Sequence, residues 1–234
     1  MLLAINTSTL QFGLALLDQT GTLIGECYLS TGKRHFGGLF PTLEFLLTTS
    51  GTSKKDIRCI VIALGPGSFT GLRVGLASAK GLSHALEAPL IGVSSLEALA
   101  SQIPSVPHTI HALLESRKND VFTASFSWGP DGLLVRKSPD QCMPYSELSR
   151  LLDQPCIFVG NNYNVQAPKL TGLVGERVVL APPEFWNLKA SSVGAIGLKR
   201  FLKGEFDNGS TLAPIYLRPP DIRPNPYIHP SITS

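Results

Sequence analysis

The chain has 234 residues, of which 20 are basic and 17 acidic, so its formal net charge is +3. A balance this close to neutral does not by itself indicate a nucleic-acid-binding surface. Hydrophobic residues make up 43% of the sequence and charged residues 16%, whereas ordinary soluble domains carry roughly 25% charged residues. We therefore expect a folded core and some surface that a partner covers.

The four cysteines, Cys27, Cys59, Cys142 and Cys156, lack the C-x-x-C spacing of zinc sites and redox pairs. The N-terminus lacks the basic segment and apolar stretch of a signal peptide, and no apolar run approaches the length of a membrane span. These features predict a cytoplasmic protein with free thiols and no membrane association.

The first half of the chain alternates short apolar runs with helical patterns. Apolar runs bounded by turn residues predict strands, and apolar residues spaced three and four apart predict helices. The predicted strands cover residues 2–7, 12–17, 23–29, 60–64 and 90–93. The predicted helices cover residues 39–50, the segment after Gly71, and a short segment that Ser95 caps and that continues to Gln102.

Pro104 and Pro107 indicate a linker, so we place a domain boundary between residues 1–103 and 104–218. The second half repeats the alternation of strands and helices. Its predicted strands cover residues 109–114, 121–126, 133–135, 157–160 and 177–180, and its predicted helices cover 146–152 and 190–203. The tail, residues 219–234, contains five prolines and should be extended or disordered.

The centre of the sequence is an apolar run followed by Gly65-Pro66-Gly67 and a helical pattern. Free backbone N–H groups and the helix dipole at such a turn can hold an anion. The candidate residues for a nucleotide or anion loop are Gly65, Gly67, Ser68, Thr70, Gly71 and Arg73. The alternative is a sharp turn without a ligand, since neither a P-loop lysine nor a dinucleotide fingerprint is present.

The two helices of the first half carry more apolar or small residues than one buried face requires. We therefore expect one side of each helix to pack on its own sheet and another side to meet a partner. The predicted partner interface comprises Leu39, Leu43, Leu46, Gly71, Leu72, Val74, Gly75 and Leu76.

The segment Ala63-Leu64-Gly65-Pro66-Gly67-Ser68-Phe69-Thr70-Gly71-Leu72-Arg73-Val74-Gly75 resembles the signature of the bacterial TsaB (YeaZ) family. Weaker matches follow in the family's order, at residues 2–8, 35–41, 91–96 and 214–218. The resemblance spans nearly the whole chain up to Arg218. It agrees with the predicted order of strands and helices, which is that of actin-like, sugar-kinase and Hsp70 ATPase halves.

The resemblance implies an α/β fold of two actin-like halves, with mixed sheets flanked by helices. It also implies a non-catalytic subunit for threonylcarbamoyl modification of the adenosine beside the tRNA anticodon. Its expected partners are a TsaD-like catalytic paralogue and a TsaE-like ATPase, with a homodimer when alone and tRNA contacted indirectly. The chain itself would need no cofactor, and ATP or ADP would be a ligand of the assembled complex.

Two departures from active relatives support an absence of catalytic and metal-binding residues. Asn6 stands where the first strand of active actin-like proteins ends in an acid, and an amide is neither an anionic metal ligand nor a general base. Catalytic relatives bind metal through two histidines four apart, but His35 is followed by Leu39. The alternative function is an independent ATPase or small kinase.

Glu115 and Arg117, with Asp120, resemble the family's D-A-R-x-x-E-V-Y segment, although both acids have changed length. We predict that this segment is a polar turn that closes a hairpin through an internal ion pair. Glu115 and Arg117 are also secondary interface candidates, because a guanidinium is well suited to paired contacts with a partner's carboxylates.

Overall fold

The computed structural model of the protein describes residues 1–29, 36–117, 119–151, 155–174 and 178–219. Across these ranges no helix has both the length and the apolar character that crossing a membrane requires. The described residues form two sheets, one from each half of the chain.

The first sheet has the order β3-β2-β1-β4-β5. Strands β1 and β2 form an antiparallel pair, as do β2 and β3, while β1, β4 and β5 run parallel. The strands are β1 (Leu2–Asn6), β2 (Phe12–Leu17), β3 (Leu23–Leu29), β4 (Cys59–Gly65) and β5 (Leu90–Ser94). All but β3 are almost wholly buried, as expected for apolar runs covered on both faces.

The second sheet has the order β11-β10-β6-β7-β8, and β9 also pairs with β7. Its antiparallel pairs are β6–β7, β7–β8 and β7–β9, and β11, β10 and β6 run parallel. The strands are β6 (Thr109–Glu115), β7 (Asp120–Trp128), β8 (Leu134–Arg136), β9 (Gln141–Pro144), β10 (Cys156–Gly160) and β11 (Val178–Leu180).

The two halves therefore share one topology, with β6, β7, β8, β10 and β11 in the places of β1, β2, β3, β4 and β5. Five α-helices accompany the strands in the described part of the chain. They are α1 (Leu39–Thr49), α2 (Phe69–Leu86), α3 (Ser95–Ala100), α4 (Tyr163–Val174) and α5 (Ala190–Leu202). The predicted α/β class, with two mixed sheets flanked by helices, is confirmed.

Helices α1 and α2 cover one face of the first sheet, where Leu43 and Leu76 join Leu3 and Ile62 in a buried cluster. The opposite face is covered by α5, which comes from the end of the chain. Its contact is close, since a Cβ atom added to Gly197 would lie 2.3 Å from Cγ1 of Val61. The predicted division at residues 103 and 104 stays a prediction, and α5 belongs by packing to the first sheet.

Several boundaries differ from those predicted. Helix α3 is capped by Ser94, whose side chain accepts a bond from the Glu97 N–H, rather than by Ser95. Ser95 is buried, and its hydroxyl accepts a bond from the Gly65 N–H at 3.1 Å. Strand β9 and helix α4 were not predicted. His35 and residues 220–234 of the tail lie outside the described residues.

A cavity between the two sheets

The first strand ends in a buried, uncharged hydrogen-bond network. The Asn6 side chain donates from Nδ2 to the Leu188 carbonyl at 2.8 Å, and its Oδ1 accepts bonds from the Ser8 N–H and hydroxyl. Asn6 is fully buried. Because the amide uses both its donor and its acceptor, an acid at this position would place a carboxylate oxygen against the Leu188 carbonyl.

The turn between β4 and α2 packs directly on the end of β1. The Ser68 N–H donates to the Ser8 carbonyl at 2.7 Å, and a Cβ atom on Gly67 would lie 2.1 Å from that oxygen. Ser68 is also the N-cap of α2, accepting a bond from the Gly71 N–H. Close approach of two backbones thus explains the glycine without a ligand.

Only some residues of the predicted anion loop lie together at one site. Gly67 and Ser68 line a cavity, whereas Gly65, Thr70, Gly71 and Arg73 do not contribute to its wall. The N–H groups of Gly65, Ser68 and Gly71 all donate within the chain. Anion binding by this loop stays a prediction, and it would depend on the other backbone N–H groups in the first turn of α2.

The small residues of α2 face the protein's own first strand. The Thr7 hydroxyl donates to the Gly71 carbonyl at 2.9 Å, and a Cβ atom on Gly75 would lie 1.9 Å from Oγ1 of Thr7. Gly71, Gly75 and Ala79 are all buried. Their small size is thus required by packing inside the chain, a role different from the predicted approach to a partner helix.

The leucines of the predicted interface also lie in the protein's own core. None is more than 6% exposed; they are Leu39, Leu43, Leu46, Leu72 and Leu76. Val74 is partly exposed. The interface itself stays a prediction, but the apolar side chains that a partner could reach on these helices are different ones.

The outward surfaces of α1 and α2 carry those accessible residues. Phe40 and Phe45 of α1 are 56% and 60% exposed, and Ala77, Gly81 and Ala85 of α2 are exposed as well. Two largely exposed phenylalanines on one helix are unusual for a protein without a partner at that surface.

A cavity of about 390 Å³ separates the rims of the two sheets. Its wall includes the β1–β2 turn at Ser8–Leu10, the β4–α2 turn at Gly67–Phe69 and the end of β6. The C-terminal segment at residues 215–219 completes it. Strand ends from both halves therefore meet at one site, as the shared topology requires.

The β6–β7 turn contributes the charged residues of the cavity. The Glu115 carboxylate accepts a bond from Nδ2 of Asn162 at 3.3 Å, and the backbone N–H of Glu115 donates to Oδ1 of Asn161. Arg117 lines the same cavity. Asp120 forms an ion pair with Arg218. The predicted hairpin turn is present, because the Ser116 N–H donates to the Asp120 carbonyl. We predicted an ion pair within this turn, but Asp120 pairs with Arg218 from a distant segment.

One buried titratable residue of the second sheet lies away from the cavity wall. His111 on β6 is 4% exposed and packs edge-on against Phe158, with ring centroids 5.2 Å apart. Burial lowers the pKa of His111 to about 4. The imidazole is therefore neutral at physiological pH and acts as part of the core.

The cavity offers hydroxyls, an amide and arginines, and among the described residues of its wall Glu115 alone carries a carboxylate. Within the described residues no cluster of three or more histidine, cysteine, aspartate or glutamate side chains is suited to holding a metal ion.

Sequence comparisons bear directly on the family. The chain is 34% identical over 227 residues to the tRNA threonylcarbamoyladenosine biosynthesis protein TsaB of Escherichia coli, covering 93% of this chain and 94% of the relative. It is 30% identical over 220 residues to TsaB of Bacillus subtilis, covering 93% of both. The chain belongs to the TsaB family.

Two further comparisons agree with that assignment. A family model described as TsaD, tRNA N6-adenosine threonylcarbamoyltransferase, matches residues 29–132. A solved structure of YeaZ from Pseudomonas aeruginosa superposes with a TM-score of 0.76 at 22% identity, covering 92% of this chain and 99% of that one. The structural match establishes the same actin-like fold, and the sequence matches establish the family.

Proposed function

We propose that the protein is a non-catalytic subunit in the biosynthesis of threonylcarbamoyladenosine in tRNA, acting by binding a TsaD-like threonylcarbamoyltransferase. Membership of the TsaB family carries this proposal, because the relatives that cover 93% of the chain are named for that pathway. A kinship with the transferase supports the choice of partner, since 66 residues are 48% identical to the enzyme of Solidesulfovibrio magneticus. Related folds commonly pair through corresponding surfaces.

The non-catalytic role is supported by the end of β1. Asn6 occupies the position of the acid in active relatives, and its amide is committed to Leu188 and Ser8. An amide does not accept a proton near neutral pH, so Asn6 cannot serve as a general base. The chemistry of the modification would then belong to the partner.

The surface proposed for pairing is the outward side of α1 and α2. Phe45 would be an anchor, since a large exposed aromatic side chain gains most from burial at an interface. The small exposed residues Ala77 and Gly81 would let a partner helix approach α2 closely. By the same surface, two copies of the protein would pair when the partner is absent.

A glutamate at Phe45 tests this surface without disturbing the core. Phe45→Glu should remain folded, because the side chain is 60% exposed, yet lose co-purification with the transferase from the native cell. Val179→Glu, at a 57% exposed apolar position on β11 of the second sheet and off both helices, is the matched control for added charge. Leu43→Glu, at a position that is 4% exposed, should unfold the protein. Its circular dichroism spectrum provides the reference for a variant that has lost its fold.

The modified nucleoside gives the functional readout. Replacing the chromosomal copy with Phe45→Glu should lower threonylcarbamoyladenosine in digested tRNA, measured by mass spectrometry, while Val179→Glu leaves it unchanged. If folded Phe45→Glu still pairs and supports modification, pairing uses another surface. If depletion of the wild-type protein leaves the nucleoside at its normal level, the proposed function is wrong.

The remaining parts of the proposal concern the assembly. A TsaE-like ATPase would join the complex, tRNA would be contacted indirectly through the complex, and ATP or ADP would be a ligand of the assembled complex, which would be cytoplasmic. The alternative, an independent ATPase or kinase, is supported only by the cavity between the halves. Calorimetry of the isolated protein with ATP and Mg²⁺ separates the two, because metal-dependent binding with turnover favours the enzyme.

A further inference from the structure

The segment that follows α5 runs across both sheets before the described chain ends. Asp207 fixes its start, since its N–H donates to the Leu90 carbonyl and its carboxylate accepts bonds from the Gly92 N–H and from Arg200. Residues 212–218, here called the strap, continue from that point along the rim of the cavity. Its path connects groups that are far apart in sequence.

The start of the strap is held by the first half. Leu212 packs against the buried cluster of the first sheet. The Ile215 N–H donates to the Leu64 carbonyl at 2.8 Å, at the end of β4. The Ile215 carbonyl lies so close to Gly65 that a Cβ atom there would be 2.8 Å away. Backbone and apolar contacts thus seat this part of the strap on the β4–α2 turn.

Tyr216 adds an aromatic anchor on the same rim. Its ring lies 5.1 Å from the ring of Phe69, and its hydroxyl accepts a bond from Nε of Arg73 at 3.1 Å. The Arg73 guanidinium carbon lies 3.9 Å from the Phe69 ring centroid. Tyrosine, arginine and phenylalanine therefore form a stacked trio at the start of α2.

The end of the strap is held by the second half. Arg218 pairs with Asp120, the first residue of β7. Between the two anchors, Leu217 packs against a buried cluster with residues of both sheets, including Ala63 and Phe122. Residues two apart in the strap thus contact opposite rims, with Tyr216 on the first and Arg218 on the second.

We propose that the strap is a latch that holds the two rims of the cavity at one separation. The cavity wall includes Ile215–Pro219, so the strap both links the rims and closes one side of the space between them. Release of either anchor would loosen the opposite rim as well as its own. Ligand access to the cavity would then depend on the latch.

Hydrogen exchange tests this coupling, because backbone bonds report on each rim separately. On the second rim, the Ser116 N–H donates to the Asp120 carbonyl, and on the first, the Ser68 N–H donates to the Ser8 carbonyl. Tyr216→Ala removes the first anchor, and Arg218→Ala the second. Each should raise amide exchange about three- to tenfold at the distant rim as well as the near one.

Two further variants sharpen the result. Tyr216→Phe removes only the hydroxyl and should have a smaller effect than Tyr216→Ala. Arg150→Ala breaks an exposed pair with Glu147 within one turn, 2.9 Å apart, and should leave both rims unchanged. The strap side chains Tyr216 and Arg218 are exposed, so folding should survive both substitutions.

The outcomes decide between a latch and independent contacts. Coupled loosening, with the double variant Tyr216→Ala/Arg218→Ala no looser than the looser of the two single variants, supports the latch, whereas effects that simply add indicate independent contacts and overturn it. Exchange that rises only at the nearer rim, or equally throughout both sheets, overturns it.

Discussion

The first strand of each half ends in a polar turn beside the same cavity, and the two turns differ in charge. After β1, Asn6, Thr7 and Ser8 are almost fully buried and satisfied within the chain. After β6, Glu115 and Asp120 bring carboxylates that stay partly exposed. Neutral amides and hydroxyls can be buried once they are hydrogen-bonded, whereas charges need water or an ionic partner.

We call residues 6–8 the sealed turn, because they are almost fully buried, in contrast to the partly exposed turn between β6 and β7. In the first half, the position where active relatives carry an acid has become part of the packing between sheet, helix and Leu188. In the second half, the charged turn lines the cavity and pairs with the strap through Arg218. We therefore expect substitutions in the first turn to affect folding, and substitutions in the second to affect the cavity and its rims.

The largest expected effect comes from placing a charge in the sealed turn. Asn6→Asp should destabilise the protein by about 3 kcal/mol at neutral pH, because a buried carboxylate cannot donate to Leu188. It should not create substantial ATP turnover, since other catalytic acids are not evident at the cavity wall. Urea unfolding and a phosphate-release assay measure the two outcomes.

The pH dependence of that variant provides its control. Burial should raise the carboxyl pKa above its unfolded value of about 3.9, so the deficit is full above the folded pKa and shrinks as pH falls toward 4. Asn6→Ala loses the same hydrogen bonds without a charge and should show no such recovery. A variant as stable as wild type at pH 7 would contradict the account of the sealed turn.

The next largest effect tests the close approach of the β4–α2 turn to β1. Gly67→Ala should cost roughly 2–3 kcal/mol, because its Cβ atom would meet a backbone oxygen that has no room to move. Thermal and urea unfolding measure the loss. The clash of the added Cβ atom does not depend on a ligand, so the loss of stability should appear in the isolated protein. If the variant is as stable as wild type and loses only nucleotide binding, the turn is flexible and serves a ligand.

The buried histidine His111 should make the stability of the protein depend on pH through the second half. Burial lowers the pKa of His111 to about 4, below its unfolded value of about 6.5. Stability from the neutral imidazole is complete above pH 6.5 and is lost as pH falls toward 4, by roughly 2 kcal/mol between pH 7 and pH 5. His111→Phe should remove that loss. Equal slopes of unfolding free energy against pH in the two proteins would refute it.

The smallest expected effect has the opposite sign and lies on the outward side of α2. A Cβ atom on Gly81 would meet nothing within 4 Å. Gly81→Ala should therefore stabilise the isolated protein by about 0.5–1 kcal/mol through helix propensity alone. Its melting temperature, compared with that of Gly67→Ala, contrasts a glycine required by packing with one that is not. Destabilisation would mean that α2 is covered at this position.

The sequence predicted the strands of the first half well because each is an apolar run ended by turn residues. Helix α2 was equally readable, because Gly65-Pro66-Gly67 separates its helical pattern from the apolar run of β4. Strand β9 was missed because it has four residues and ends in Pro144. Helix α4 was missed because Pro168 interrupts a weak apolar pattern.

The candidate site was harder to predict, because its wall comes from segments distant in sequence. Periodicity showed that α1 and α2 carry wide apolar surfaces, but it could not show which side the sheet takes. The leucines are buried against the sheet, and Gly75 of α2 packs against Thr7. The large apolar side chains that remain accessible on α1 are therefore Phe40 and Phe45. The contact of Arg218 with Asp120 had no local signal at all.

The position of α5 has a consequence for synthesis on the ribosome. One face of the first sheet, including Ala4 and Val61, is covered by a helix that begins only at Ala190. Until that helix emerges, the nascent N-terminal half exposes an apolar sheet face, and its final packing requires contacts of very long sequence separation. A fragment ending near residue 103 should therefore aggregate or bind chaperones, and adding a peptide of residues 187–218 should rescue its solubility.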